Sequence, residues 1–84
     1  MNDANKCINP IQCRAARGIL GWSQSDLASR AGVSTPTVSV FETGKRETHA
    51  NNLAAIRRAL EDAGVEILAA TERRGPGVSL REPG

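Results

Sequence analysis

Eighty-four residues with a formal net charge of +2 leave room for one domain around one small core. Phe41 and Trp22 are the only aromatic residues, so Leu, Ile, Val and Ala must do the packing, and stability is expected to be modest. No stretch approaches the roughly 20 apolar residues that cross a bilayer, the N-terminus shows no signal-peptide core, and a single histidine with no nucleophile and base at useful spacing argues against an enzyme.

Taken in chain order, residues 1–8 are expected to form a flexible arm. Asn9-Pro10, a cap residue followed by proline at the first helical position, starts a helix that should run to Leu20. Cys13, Arg17 and Leu20 share one face of it by their i, i+4, i+7 spacing. Gly21-Trp22 leads onward, and Trp22, just ahead of a cap, is expected to pack as a hydrophobic staple rather than to stack on a base.

Residues 23–44 carry the strongest pattern. Ser23 and Asp26 match a capping box, in which each side chain satisfies a backbone donor at the helix start. Leu27, Ala28 and Ala31 supply an inner face, and Gly32 ends the helix because glycine tolerates positive φ. Gly32-Val33-Ser34 is then a tight turn with Val33 pointing inward. Ser34 or Thr35 caps a second helix, Pro36 sits in the first turn where its missing N–H is harmless, Val38 and Phe41 face the core, and Thr43-Gly44 stops it. Two short helices joined this way form a helix-turn-helix, a device for seating a helix in the DNA major groove.

Thr35, Pro36, Thr37, Ser39 and Val40 remain on the outer face of the second helix. A helix exposed only for solubility more often carries Glu and Lys. Small neutral side chains allow close approach, hydroxyls can bond base edges or phosphates, and the methyl groups of Thr and Val can touch the thymine methyl.

The basic loop Gly44-Lys45-Arg46 follows, then Asn51 or Asn52 as the cap of a helix with Leu53, Ile56, Leu60 and Ala63 inward and Gly64 at its end. Beyond it Val65-Glu66-Ile67-Leu68 is rich in β-formers, Thr71 to Pro76 form a loop, and Val78-Ser79-Leu80-Arg81 alternates with the period of a strand. This predicts a hairpin around Gly-Pro-Gly. A lone hairpin is marginal in water, so it should lie on the helical core or pair with its copy in a second subunit, the third alternative being a frayed, partly disordered tail. Val65, Ile67, Leu68, Val78 and Leu80 are the candidate dimerisation residues.

Charge is unevenly spread. Residues 1–46 hold six Lys and Arg against three Asp and Glu, a net of +3, and residues 47–84 hold five against six, a net of −1. The basic excess accompanies the motif, as phosphate contact requires. Arg14, Lys45 and Arg46 are the candidates for neutralising phosphates, whereas Arg30 is as well explained by a solvated surface charge. Cys13 looks like a small core residue and Cys7 like an arm thiol with only Lys6 near it to lower its pKa. Two cysteines and His49 have no metal-site spacing, so no metal or cofactor is expected.

Residues 11–63 resemble the Cro/repressor-type helix-turn-helix domain of the XRE family. Ala28, Gly32, Val38 and Glu42 stand at the small, turn, apolar and acidic positions of the family pattern. Gln24 stands where the family uses a glutamine against the DNA backbone, and Arg17 stands where an arginine pairs with the glutamate here numbered Glu42. Gly44, Lys45 and Arg46 match its phosphate-holding loop. The resemblance implies a mainly α, lambda-repressor-like bundle of four to five helices, here with a C-terminal β-hairpin where the family has its fifth helix. The expected division is an arm at 1–8, a DNA-binding domain at 9–64 and a hairpin at 65–84.

The expected function is a cytoplasmic transcriptional regulator, a repressor or autoregulator, that binds inverted-repeat operator DNA as a homodimer. Thr35, Pro36, Ser39 and Val40 are the expected base contacts. Arg14, Ser23, Gln24, Thr37, Thr43, Lys45 and Arg46 are the expected backbone contacts, and Arg17 with Glu42 forms a structural ion pair. RNA polymerase, by way of an acidic patch at Glu61-Asp62, or another regulator is a further partner to weigh. The rival reading is a protein-interaction module, an antitoxin or a partner-capturing co-regulator whose C-terminal segment binds by strand addition.

Overall fold

The computed structural model describes residues 8–44, 46–68 and 75–80. Four helices and a hairpin follow in order: α1 (Pro10–Leu20), α2 (Gln24–Ala31), α3 (Thr35–Thr43), α4 (Ala50–Asp62), β1 (Val65–Leu68) and β2 (Gly77–Leu80). No described helix is long and apolar enough to cross a membrane.

Short polar side chains start the first three helices. Asn9 accepts from the Gln12 N–H while the Gln12 amide oxygen accepts from the Asn9 N–H, and Ser23 and Asp26 exchange the same pair of bonds. Ser34 caps α3 by accepting from the Thr37 N–H. The start of α4 departs from expectation: the helix begins at Ala50, His49 holds the cap position, and no side chain bonds there. Asn51 and Asn52 lie inside the first turn, because alanine has a stronger helix preference than asparagine and extends the helix past them.

Leu27, Val38, Ile56 and Leu60, one or two from each of α2, α3 and α4, are fully buried, with Cys13 and Ala16 of α1 between them. Burying each of the four larger side chains stabilises the fold by about 1.5–3 kcal/mol. Phe41 joins this core, and Trp22 packs against it from the rim. Ile8, placed in the arm by its sequence, is also buried at the core. Among the described residues the packed core thus begins at Ile8, and residues 1–7 with Cys7 lie outside the described residues.

β1 and β2 pair antiparallel with Val65 opposite Leu80 and Leu68 opposite Gly77. Alternation puts Val65, Ile67, Val78 and Leu80 on one face, which packs on α4 and α1. Val65 is fully buried there. That corrects its assignment as a dimerisation residue, since an atom already packed in its own core cannot meet a second copy. Gln12 of α1, also buried, donates through Nε2 to the Leu68 and Gly77 carbonyls at 2.8 and 3.0 Å, which ties the turn end of the ladder to the first helix. Thr71 and Arg81, expected in the loop and in the second strand, lie outside the described residues.

Candidate nucleic-acid interface

The turn between α2 and α3 is made by Gly32, whose φ of +72° is strained for any residue with a Cβ. Its N–H donates to Ser29 O at 3.3 Å and the Val33 N–H to Ala28 O at 3.0 Å, the two bonds of a Schellman motif. The chain reverses within three residues, and α3 begins at once. Val38, Phe41 and Glu42 of α3 are buried, Thr35 and Pro36 are exposed, and Thr37, Ser39 and Val40 are partly exposed. The outward face of α3 thus carries no charge.

Basic character comes from beside it. A groove of about 310 Å³ runs between α3 and the following loop, with Pro36, Thr37 and Val40 on one wall and Arg46, His49 and Asn52 among the residues of the other. Arg46 is exposed and faces the same groove as the α3 side chains. Lys45 lies outside the described residues. Ser23, Thr37 and Thr43 have local partners: the Ser23 hydroxyl caps α2, the Thr37 hydroxyl shares a 2.7 Å hydrogen bond with Ser34, and the Thr43 hydroxyl donates to Val40 O at 2.8 Å.

Beneath the helix end, Glu42 gathers more donors than the single arginine its sequence position suggests. Arg17 donates from Nε to Oε2 and from Nη2 to Oε1, both at 2.7 Å, a bidentate pair. Gln24 Nε2 donates to Oε1 at 3.0 Å and the Cys13 thiol to Oε2 at 3.1 Å. Arg14 Nη1 donates to the Glu42 backbone carbonyl at 2.5 Å, and Arg17 Nη1 to Trp22 O at 3.0 Å. A carboxylate that is only 3% exposed needs its lone pairs filled from within the protein. That requirement turns Gln24, expected on the DNA backbone, toward the Glu42 carboxylate, while Arg14, also expected on the DNA backbone, bonds the Glu42 carbonyl near the end of α3. Cys13, expected to be only an apolar filler, is a donor in the same cluster. Arg30 is also engaged, stacked over the Trp22 ring at 4.8 Å. No local sequence signal marks these last contacts, which join residues from separate helices.

Burial pushes the Glu42 carboxyl upward, but hydrogen bonds from Arg17, Gln24 and Cys13 outweigh it and hold the group below the usual glutamate range. Burial, then the bond to Glu42, pushes the Cys13 thiol well up, so it stays protonated and donates. A carboxyl with a depressed folded pKa contributes stability above its unfolded value, about 4.3, and that contribution is lost as pH falls through the folded value. Thermal melts between pH 7 and pH 3 should therefore show a steep acid loss in the parent. Glu42→Gln should be less stable at pH 7 and show a shallower acid loss; equal slopes would remove Glu42 from the acid response.

This architecture, a capped helix, a glycine turn and a second helix clamped at its far end, defines a DNA-binding protein of the helix-turn-helix class. A protein-family model described as "Helix-turn-helix" matches residues 14–61, more than half of the chain. The protein belongs to that family, in its Cro/repressor or XRE branch, and is thereby a DNA-binding protein of transcription regulation. The matched span begins in α1 and ends in α4, leaving the hairpin outside it. No curated protein matches the chain.

Proposed function

We propose that the protein is a transcriptional repressor or autoregulator that binds inverted-repeat operator DNA as a dimer, with α3 in the major groove. The observation that carries this reading is the neutral, small-residue face of α3 set beside Arg46 across one groove. Thr35, Pro36, Ser39 and Val40 meet base edges, while Ser23, Thr37, Thr43, Lys45 and Arg46 lie along the phosphates. Arg14 and Gln24 reach the backbone only with what their bonds to Glu42 leave free. With so few cations per copy, one copy binds weakly. Two copies double the phosphate contacts and set two recognition helices roughly 34–36 Å apart on a two-fold site. Promoter occlusion is the simplest mechanism, and it locates the protein in the compartment that holds the DNA, the cytoplasm.

Gel shift with fragments upstream of its own gene, at two salt concentrations and with nonspecific competitor, tests the proposal. A discrete, competitor-resistant complex that weakens steeply with salt supports it. Arg46→Ala should lower affinity at unchanged melting temperature and reduce the salt slope by roughly one unit per copy for the phosphate contact removed. An unchanged slope would take Arg46 off the backbone. The second reading, a partner-capturing module or antitoxin, draws on the hairpin, whose outer edges carry no further strand among the described residues and would suit strand addition. It predicts smeared, competitor-sensitive binding that sharpens only when a partner is added.

A further inference from the structure

The hairpin is built as an incomplete sheet. Two strands alone are marginal in water, and this pair is covered on one face by α1 and α4 only in part. Val65, Ile67 and Val78 pack on the core, yet Leu80, on the same face, is 52% exposed. The helical layer ends short of it. The two edges also differ. β1 carries the exposed Glu66, so pairing β1 with itself across a two-fold axis would bring like charges together. β2, Gly77-Val78-Ser79-Leu80, carries no charge and no proline, so apart from its shortness it lacks the side-chain guards by which natural edge strands avoid other chains.

We infer that β2 pairs antiparallel with β2 of a second copy of this chain, giving a four-stranded sheet in the order β1-β2-β2′-β1′ with Leu80 of each copy covered by the other. The inference rests on the dimeric reading above and supplies its interface. Such a contact is isologous, as a two-fold dimer requires. One pair of four-residue strands buries less than the roughly 1,200 Å² at the low end of standard interfaces, so the dimer is weak and concentration-dependent, and a two-fold DNA site strengthens it.

Sedimentation of the full chain across about 5–500 μM, the range suited to a weak interface, tests the pairing. The parent should show a monomer–dimer equilibrium. Leu80→Lys and Ser79→Lys, both at exposed positions, should each shift it at least tenfold toward monomer with the same melting temperature at low concentration. Ile11→Lys, at the exposed face of α1, should leave it unchanged. A dimer that survives both β2 lysines, or is lost with Ile11→Lys, would overturn the strand pairing and leave the dimeric reading standing. A parent that stays monomeric throughout would also overturn it. Footprinting of the parent on its operator judges the dimeric reading separately: protection of two half-sites upholds it, and protection of one half-site ends both.

Discussion

Arg17→Ala is expected to be the most damaging single substitution in the DNA-binding domain, costing about 3–5 kcal/mol, as for the loss of one partner of a buried pair. The asymmetry of burial supplies the reason. Glu42 is 3% exposed and Arg17 19%, so removing the arginine strands the less accessible charge. Glu42→Ala instead strands a guanidinium that can turn to water, and should cost less. At roughly 4–8 °C per kcal/mol for a domain of this size, Arg17→Ala lowers the melting temperature by at least about 12 °C. DNA affinity falls with it, because Glu42 closes the far end of α3. The loss should shrink in acid, since without Arg17 the carboxyl protonates more readily and the neutral form is cheaper to bury. The double variant Arg17→Ala/Glu42→Ala should be less destabilised than the sum of the singles. Parent-like melting of Arg17→Ala at pH 7 would mean that the bidentate contact carries little of the stability.

The parts of this fold that are legible in the sequence are those whose physics is local. Asn9, Ser23 and Ser34 accept from N–H groups three residues on, and Gly32 supplies a backbone conformation that few residues tolerate. A window of ten residues contains everything needed to place them. The start of α4 is not legible in this way, since no side chain caps it and the better-looking asparagines lie within its first turn. Gln12 is less legible still. It looks like one more polar residue of a helix start, yet it reaches carbonyls 56 and 65 residues away. The site divides along the same line. The neutral face of α3 follows from helical spacing alone, whereas the Glu42 cluster draws Cys13, Arg14, Arg17 and Gln24 from two other helices. Resemblance to a family points to one of those four, and only packing brings in the rest. Val65 shows the converse, an apolar strand residue whose pattern suits a dimer interface equally well until its own core is seen to cover it.

Thr37→Glu should separate folding from recognition, raising stability while abolishing tight operator binding. α1 and α2 each complete a capping box with an acceptor side chain at the third helical position, Gln12 and Asp26. α3 has Ser34 at its cap but Thr37 at that third position, where the two hydroxyls bond each other and the Ser34 N–H has no returning side chain. Glutamate at 37 would reach that N–H and place a negative charge against the positive end of the helix, a gain of about 0.3–1 kcal/mol. The same carboxylate would enter the groove that holds Arg46, neutralise it, and face the phosphates of any DNA seated on α3. Repulsion together with a lost cation should lower affinity at least a hundredfold, about 2.7 kcal/mol at 1.36 kcal/mol per decade, measured by gel shift at fixed salt. Thr37→Gln, which keeps the cap without the charge, should restore most of the affinity. If Thr37→Glu binds operator DNA as the parent does, α3 presents a different face to the groove, and the base contacts assigned to Thr35, Pro36, Ser39 and Val40 fall with it.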